Sequence, residues 1–334
     1  MSNGALLEVS DLKVHFTQRK GWLGRPPVVV HAVDGVSFSI ERGTTFGLVG
    51  ESGSGKSTTA MAIMRLAPIT EGRVMLGGTD LGRLSGDALR RERRNFQIIF
   101  QDPYSSLDPR KRAGAVVREP LDRLKIGSPA ERERQVAELF RHVGLRPEQA
   151  QLFPHQFSGG QRQRLGVARA LASRPDLIVC DEPVSALDVA IQAQILNLLQ
   201  KLQNEFGLTY LFISHDLGVV QHMCDEIAVM YLGTIVERTD RVRLFRSPRH
   251  PYTKALLSAV PSVDPALRGG KDRIALEGDP PSPMNPPAGC RFSTRCPYAD
   301  ERCRGEMPPL RELDSGHWVA CHQAEQLRDQ WSAS

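Results

Sequence analysis

The stretch TTFGLVGESGSGKSTTAMAIMRLA, residues 44–67, decides how this 334-residue chain folds. Its first seven residues are an apolar run ending in glycine, as expected of a strand buried on both faces. Gly50-Glu51-Ser52-Gly53-Ser54-Gly55-Lys56-Ser57-Thr58 then fits the P-loop pattern G-x-x-x-x-G-K-[ST], and TTAMAIMRLA continues as a helix. Glycines let backbone N–H groups converge on phosphate oxygens, and the helix presents its positive N-terminus to the same charge. Lys56 is placed to reach the β- and γ-phosphates of a nucleotide, and Ser57 to offer a hydroxyl to Mg2+. A Gly/Ser-rich turn without a ligand could share the pattern, but not the strand before it and the helix after it.

Working outward, LLEVSDLKVHF (6–16) and VDGVSFSI (33–40) read as strands of alternating character, joined by a basic, Gly/Pro-containing excursion at 17–30. DLIVCDEP (176–183) and TYLFISHD (209–216) are two further buried strands. Between them Ile191, Ile195, Leu198, Leu199, Leu202 and Phe206 recur at helical spacing, an amphipathic crossover. Strand–helix–strand of this kind implies a parallel α/β sheet. Residues 102–170 show helical periodicity (Val136, Leu139, Phe140, Val143) and read as a helical insert.

Asp181 closes the strand LIVCD and is expected to hold Mg2+ through water; Glu182 follows at the strand's carboxyl end, where open α/β sheets bind ligands. A carboxylate there can take a proton from an attacking water. Without the phosphate loop, the same pair would read as a surface acidic pair ended by Pro183. His215 ends the next strand and could touch the γ-phosphate; a structural histidine is the plainer reading of it.

Composition limits the rest. Hydrophobic residues at 40% and charged residues at 24% provide for a packed core. The net charge of +5, much of it scattered arginine, is too small to argue for nucleic-acid binding. No stretch approaches the roughly 20 apolar residues of a membrane helix. Glu8 and Asp11 stand where a secretory leader would be basic and then apolar, so the chain is expected to stay in the cytosol, where disulfides are rare. Composition shifts near residue 240: twelve of the 23 prolines lie between Pro248 and Pro309, which excludes long helices and central strands there. The expected division is a core domain, 1–240, and a loop-rich extension, 241–334.

That extension carries Cys290-x5-Cys296-x6-Cys303-x17-Cys321. Four thiolates can bind Zn2+ or an iron–sulfur cluster. The paired C-x2-4-C knuckles usual for zinc are missing, and the looser spacing suits a cluster better; uncoordinated thiols are the third reading. A fold staple is the plainer role for such a site and redox control the sharper one. Cys180 and Cys224 read as apolar fillers, and His317 and His322 as surface residues.

Phe157-Ser158-Gly159-Gly160-Gln161-Arg162-Gln163-Arg164, taken with the P-loop, Gln101, Asp181-Glu182, Ser185-Ala186-Leu187-Asp188 and His215, resembles the nucleotide-binding subunit of ABC transporters. The resemblance implies a P-loop NTPase (ABC ATPase) core with an antiparallel β-subdomain and a helical insert, followed here by the Pro/Cys-rich C-terminal extension. It also implies head-to-tail pairing of two domains around two ATP molecules. Ser158, Gly159, Gly160 and Gln161 would then contact the ATP held by the opposite P-loop, as free N–H groups heading a helix can. Gln101 would touch Mg2+ or the attacking water, Asp188 would face the partner's site, and Phe16 would stack on adenine; an ordinary strand-end core residue is the other reading of Phe16.

FQDPYSSLDP (100–109) and HPYT (250–253) narrow the resemblance to the dipeptide/oligopeptide/nickel branch of bacterial importers. That branch implies a second ATPase subunit, usually a paralogue, two transmembrane permeases and, indirectly, a periplasmic or extracellular solute-binding protein. It implies no nucleic acid. The chain would lie peripherally on the cytoplasmic face of the inner membrane. Some members carry a [4Fe–4S] cluster on the four cysteines. A soluble ABC protein acting on nucleic acid or ribosomes is the rival, and an exporter ATPase a nearer alternative; the tail speaks against both.

Overall fold

The computed structural model describes residues 4–18, 27–259, 274 and 276–332; residues 19–26 of the basic excursion, and Pro261 and Pro265, lie outside them. Among the described residues run the strands β1 (Ala5–Gln18), β2 (Val28–Glu41), β3 (Thr45–Val49), β4 (Glu71–Leu76), β5 (Thr79–Asp80), β6 (Phe96–Ile99), β7 (Leu177–Asp181), β8 (Thr209–Ser214), β9 (Glu226–Tyr231), β10 (Thr234–Asp240), β11 (Arg311–Asp314) and β12 (His317–Val319). A four-stranded sheet has the order β2-β1-β4-β5. In it β4 and β5 are antiparallel, Met75 facing Asp80 and Leu76 facing Thr79. Along β2 the buried Val36, Phe38 and Ile40 alternate with more exposed neighbours, the period-two pattern of a half-covered sheet.

The chain divides into two compact units. One contains the described residues of 1–8, 39–45 and 75–213. Here β6, β7 and β8 run parallel, with Phe96 opposite Leu177 and Leu177 opposite Thr209. Every residue of β7 and β8 is buried, which is why these strands read as unbroken apolar runs. The crossover between them is the helix Val189–Phe206. Asp188 caps it by accepting the Ile191 N–H at 3.0 Å, and Gly207 ends it with φ 66°. Its buried Ile195, Leu198, Leu199 and Leu202 are each worth roughly 2 kcal/mol of apolar burial. Ahead of β7 the helices Ala113–Leu124, Pro129–His142 and Gly159–Leu171 pack on one another. Pro129 opens the second of these, behind a reciprocal Ser128–Glu131 cap.

The other unit contains the described residues of 9–38, 46–74 and 214–334. Its β3 and β9 are parallel, with Phe46 opposite Glu226, and β9 pairs antiparallel with β10. The C-terminal region then adds two strands: β12 pairs antiparallel with β10, Val319 facing Glu237, and β11 pairs with β12. Val319, Cys321 and Ala324 form a small apolar cluster with Leu313 against it. A Pro-rich segment too short to enclose a core of its own is thus stabilised by joining an existing sheet edge.

That pairing corrects one expectation. His317 is not a surface residue: it is 2% exposed, with Nε2 2.7 Å from a Glu237 carboxylate oxygen. Glu237, itself fully buried, also accepts the backbone N–H groups of Arg249 and His250 at 2.7 and 2.9 Å. A buried carboxylate needs such donors, and the β10–β12 register supplies one of them. His322 is half-buried, its Nε2 3.0 Å from the Glu306 carbonyl oxygen. Cys180 and Cys224 are buried thiols, as small apolar residues would be.

Candidate nucleotide-binding site

The phosphate loop lies in the second unit, between β3 and the helix Lys56–Ile63. Two glycines fix its path. Gly50 has φ 152°, and a Cβ there would stand 2.2 Å from the Met230 carbonyl oxygen; Gly55 has φ 105°, and its Cβ would stand 2.4 Å from that of Ala32. Only glycine combines those dihedrals with so close a backbone approach. Lys56, at the first position of the helix, is 5% exposed. Its ammonium donates to the carbonyl oxygens of Gly50 (2.9 Å) and Glu51 (2.8 Å) and to Ser54 Oγ (3.4 Å). A cation is therefore seated inside a loop at a helix N-terminus, where an anion gains from both.

Glu51 is held from two further directions. Its N–H donates to the Tyr252 hydroxyl at 2.9 Å, and its carboxylate accepts a fork from Arg295, at 2.8 and 3.3 Å. The local spacing of the P-loop gave no sign of either partner, because they stand 201 and 244 residues along the chain. Phe16, near the end of β1, is 39% exposed and so is not a core residue. His215, exposed, follows β8 and precedes Asp216, whose carboxylate caps the helix Leu217–Met223.

The first unit holds the other half of the expected set. Asp181 is the buried last residue of β7. Glu182 follows in the left-handed region at φ 46°, a costly conformation for a residue with a Cβ. Its N–H donates to the Ile213 carbonyl oxygen at 3.0 Å, and its carboxylate accepts Gln101 Nε2 at 2.8 Å. Gln101 and Glu182, 81 residues apart, thus meet.

In the same unit Ser158 caps the helix Gly159–Leu171. Its Oγ accepts the Gln161 N–H at 3.4 Å, and Gln161 Oε1 accepts the Ser158 N–H at 3.0 Å. Ser158 and Asp188 are both exposed, each at the start of its own helix.

Of the four clustered cysteines, Cys290, Cys303 and Cys321 are buried and Cys296 is partly so. The Cys290 N–H donates to the Cys303 carbonyl oxygen at 2.8 Å, which ties the two segments together. Burial pushes the thiols up, Cys296 to about 11 and Cys321 to about 12, with the charges of the other cysteines adding to the effect. Zinc at about 2.3 Å from each sulfur would hold four sulfurs within about 4 Å of one another. Among the described residues, His15, His31 and Asp34 form a group of three ligand side chains lying within 4.8 Å of one another.

Residues 33–185 match the ABC transporter family, and residues 236–303 match the oligopeptide/dipeptide transporter C-terminal region. The chain is 50% identical over 318 residues to the oligopeptide transport ATP-binding protein AppF of Bacillus subtilis (strain 168), covering 95% of this chain and 97% of that one. It is 52% identical over 318 residues to the probable peptide ABC transporter ATP-binding protein y4tS of Sinorhizobium fredii, covering 95% and 90%. Among solved structures, the ATP-binding cassette MJ0796, in a dimeric post-hydrolysis state bound to ADP and Pi, superposes with a TM-score of 0.62 at 30% identity, over 70% of this chain and 98% of that one. Fold, loop geometry and likeness agree, and the chain belongs to the ABC transporter ATPases, with a C-terminal region of the oligopeptide/dipeptide transporter type.

Proposed function

We propose that this chain is the ATP-hydrolysing subunit of an importer for peptides. The phosphate loop carries the reading: its glycines admit backbone contacts no other residue could make, and its buried Lys56 heads a helix. Gly50 to Thr58 would hold the phosphates of ATP, Ser57 and Asp181 would hold Mg2+ with Gln101 beside it, and exposed Phe16 would stack on adenine. Glu182, oriented by the Gln101 amide, would take the proton of the attacking water, and His215 would contact the γ-phosphate. Ser158 to Gln161 and Asp188 would complete the site of a second ATPase subunit, most economically a paralogue. ATP then binds the paired state better than the separated one and drives closure for that reason alone.

Peptides are the proposed cargo because of the relatives' names and the C-terminal match. Two permeases would carry them, fed by a periplasmic or extracellular binding protein. No helix among the described residues is long and apolar enough to cross a membrane, which suits a peripheral place on the cytoplasmic face of the inner membrane. Cys290, Cys296, Cys303 and Cys321 would hold a [4Fe–4S] group, whose cysteines each bind a different iron and so stand further apart than zinc ligands do.

The test is reconstitution in vesicles with the partner ATPase and permeases. ATP-dependent uptake of labelled dipeptides and oligopeptides, lost with Glu182→Gln, is the expected result. Full ATP turnover indifferent to permease and peptide, or co-purification with nucleic acid in place of membranes, would overturn it.

A further inference from the structure

We propose that Arg295 and Tyr252 of the C-terminal region are positioning residues for the phosphate loop, so that this region sets how tightly the loop holds ATP. The inference deepens the nucleotide reading given above and rests on it. Glu51 is the point of contact. Its carbonyl oxygen accepts from Lys56 (2.8 Å), its N–H donates to Tyr252 (2.9 Å), and its carboxylate takes the two-pronged Arg295 guanidinium (2.8 and 3.3 Å). The backbone and side chain of one loop residue are thereby fixed by partners 5, 201 and 244 residues further along the chain.

Neither contact is a loose surface pair. The Arg295 side chain is 7% exposed and that of Glu51 31%, and a bidentate guanidinium–carboxylate pair with one partner buried is directional and costly to break. Tyr252 is fully buried, its ring edge-on to Tyr231 (centroids 4.7 Å apart) and beside Phe292 (5.4 Å), so its hydroxyl oxygen is held in place as an acceptor for Glu51. Phe292 and Arg295 belong to one short segment, which also sends Arg291 to the carboxylate of Asp34. Asp34 lies two residues beyond Ala32, the residue whose carbonyl oxygen presses on Gly55. One segment therefore touches the loop through Glu51 and, through Asp34, the strand β2 whose Ala32 carbonyl lies against Gly55. Lys56 donates to the Glu51 carbonyl as well as to Gly50 and Ser54, so the orientation of Glu51 contributes to where the ammonium rests before phosphate arrives.

A merely structural staple would lower stability and leave the affinity of the folded protein alone. The experiment separates the two by titrating the full chain with a fluorescent ATP analogue and recording thermal unfolding in parallel. Wild type should bind and Lys56→Ala should not; failure of wild type to bind would overturn the nucleotide reading together with this one. Arg295→Ala should weaken binding about tenfold while Arg295→Lys recovers part of the loss, and Arg295→Ala combined with Glu51→Ala should cost no more than either alone. If Arg295→Ala does not fold, Glu51→Gln cuts the same ion pair and carries the same expectation. Wild-type affinity in a folded Arg295 or Glu51 variant, or additive losses in the double variant, would overturn the proposal while leaving the nucleotide site standing.

Discussion

Glu182 carries more local strain than its neighbours, with a left-handed backbone and a carboxylate tied to Gln101. Strain of this kind persists where the surrounding structure over-determines it, and here β7, β8 and Gln101 do so. Glu182→Gln should keep ATP binding and lower turnover at least about a hundredfold, the share expected of a general base; equilibrium binding beside phosphate release measures both. Lys56→Ala should instead remove measurable nucleotide binding, since it takes the cation out of the loop and leaves the Gly50 and Glu51 carbonyls without that donor. Both residues could be read from the chain because the groups that define them are sequence neighbours. Arg295 could not: it is one of many scattered arginines until the fold sets it against Glu51.

The helix Gly159–Leu171 begins with a cap that uses the very serine expected to meet ATP from across a dimer. Ser158→Ala should therefore have two separable effects. It should destabilise the isolated chain by about 1 kcal/mol, the usual worth of such a cap, which urea unfolding reads. It should also slow hydrolysis by the assembled pair well beyond what that stability loss explains. Of the strands legible in the sequence, β3, β7 and β8 are buried on both sides and announce themselves as apolar runs, while β1 and β2 show through their alternation. β4 gives no such signal, since three of its six residues are exposed, and β11 and β12 are too short to show a period at all. Those two exist because β10 offers an edge, a tertiary fact that local pattern does not contain.

The C-terminal region also leaves a mark on how the molecule as a whole responds to acid. His250 is buried, and desolvation pulls it down to about 4; its Nδ1 accepts the Tyr252 N–H at 3.1 Å, which requires the neutral ring. Around it stand the Glu237 carboxylate, which accepts the His250 N–H and partners His317, and the ring of Phe292. The unfolded chain takes up this proton near pH 6.5 while the folded chain resists until about 4. The stabilisation is thus complete above pH 6.5 and is lost as the pH falls toward 4, a loss of roughly 3 kcal/mol. His250→Gln, which keeps an acceptor, should flatten the fall in unfolding midpoint between pH 7 and 4; an unchanged slope would reject the assignment.

The most direct check on the whole scheme is the rate of ATP hydrolysis by chains held monomeric throughout turnover, as verified by light scattering, with Ser158→Arg and Gly159→Asp blocking the proposed pairing face. The loop of Gly50 to Thr58 should still bind ATP in such chains, yet hydrolysis should fall to near background if, as proposed, half of each site comes from the other subunit. Full-rate hydrolysis by that monomer would contradict the shared-site scheme outright.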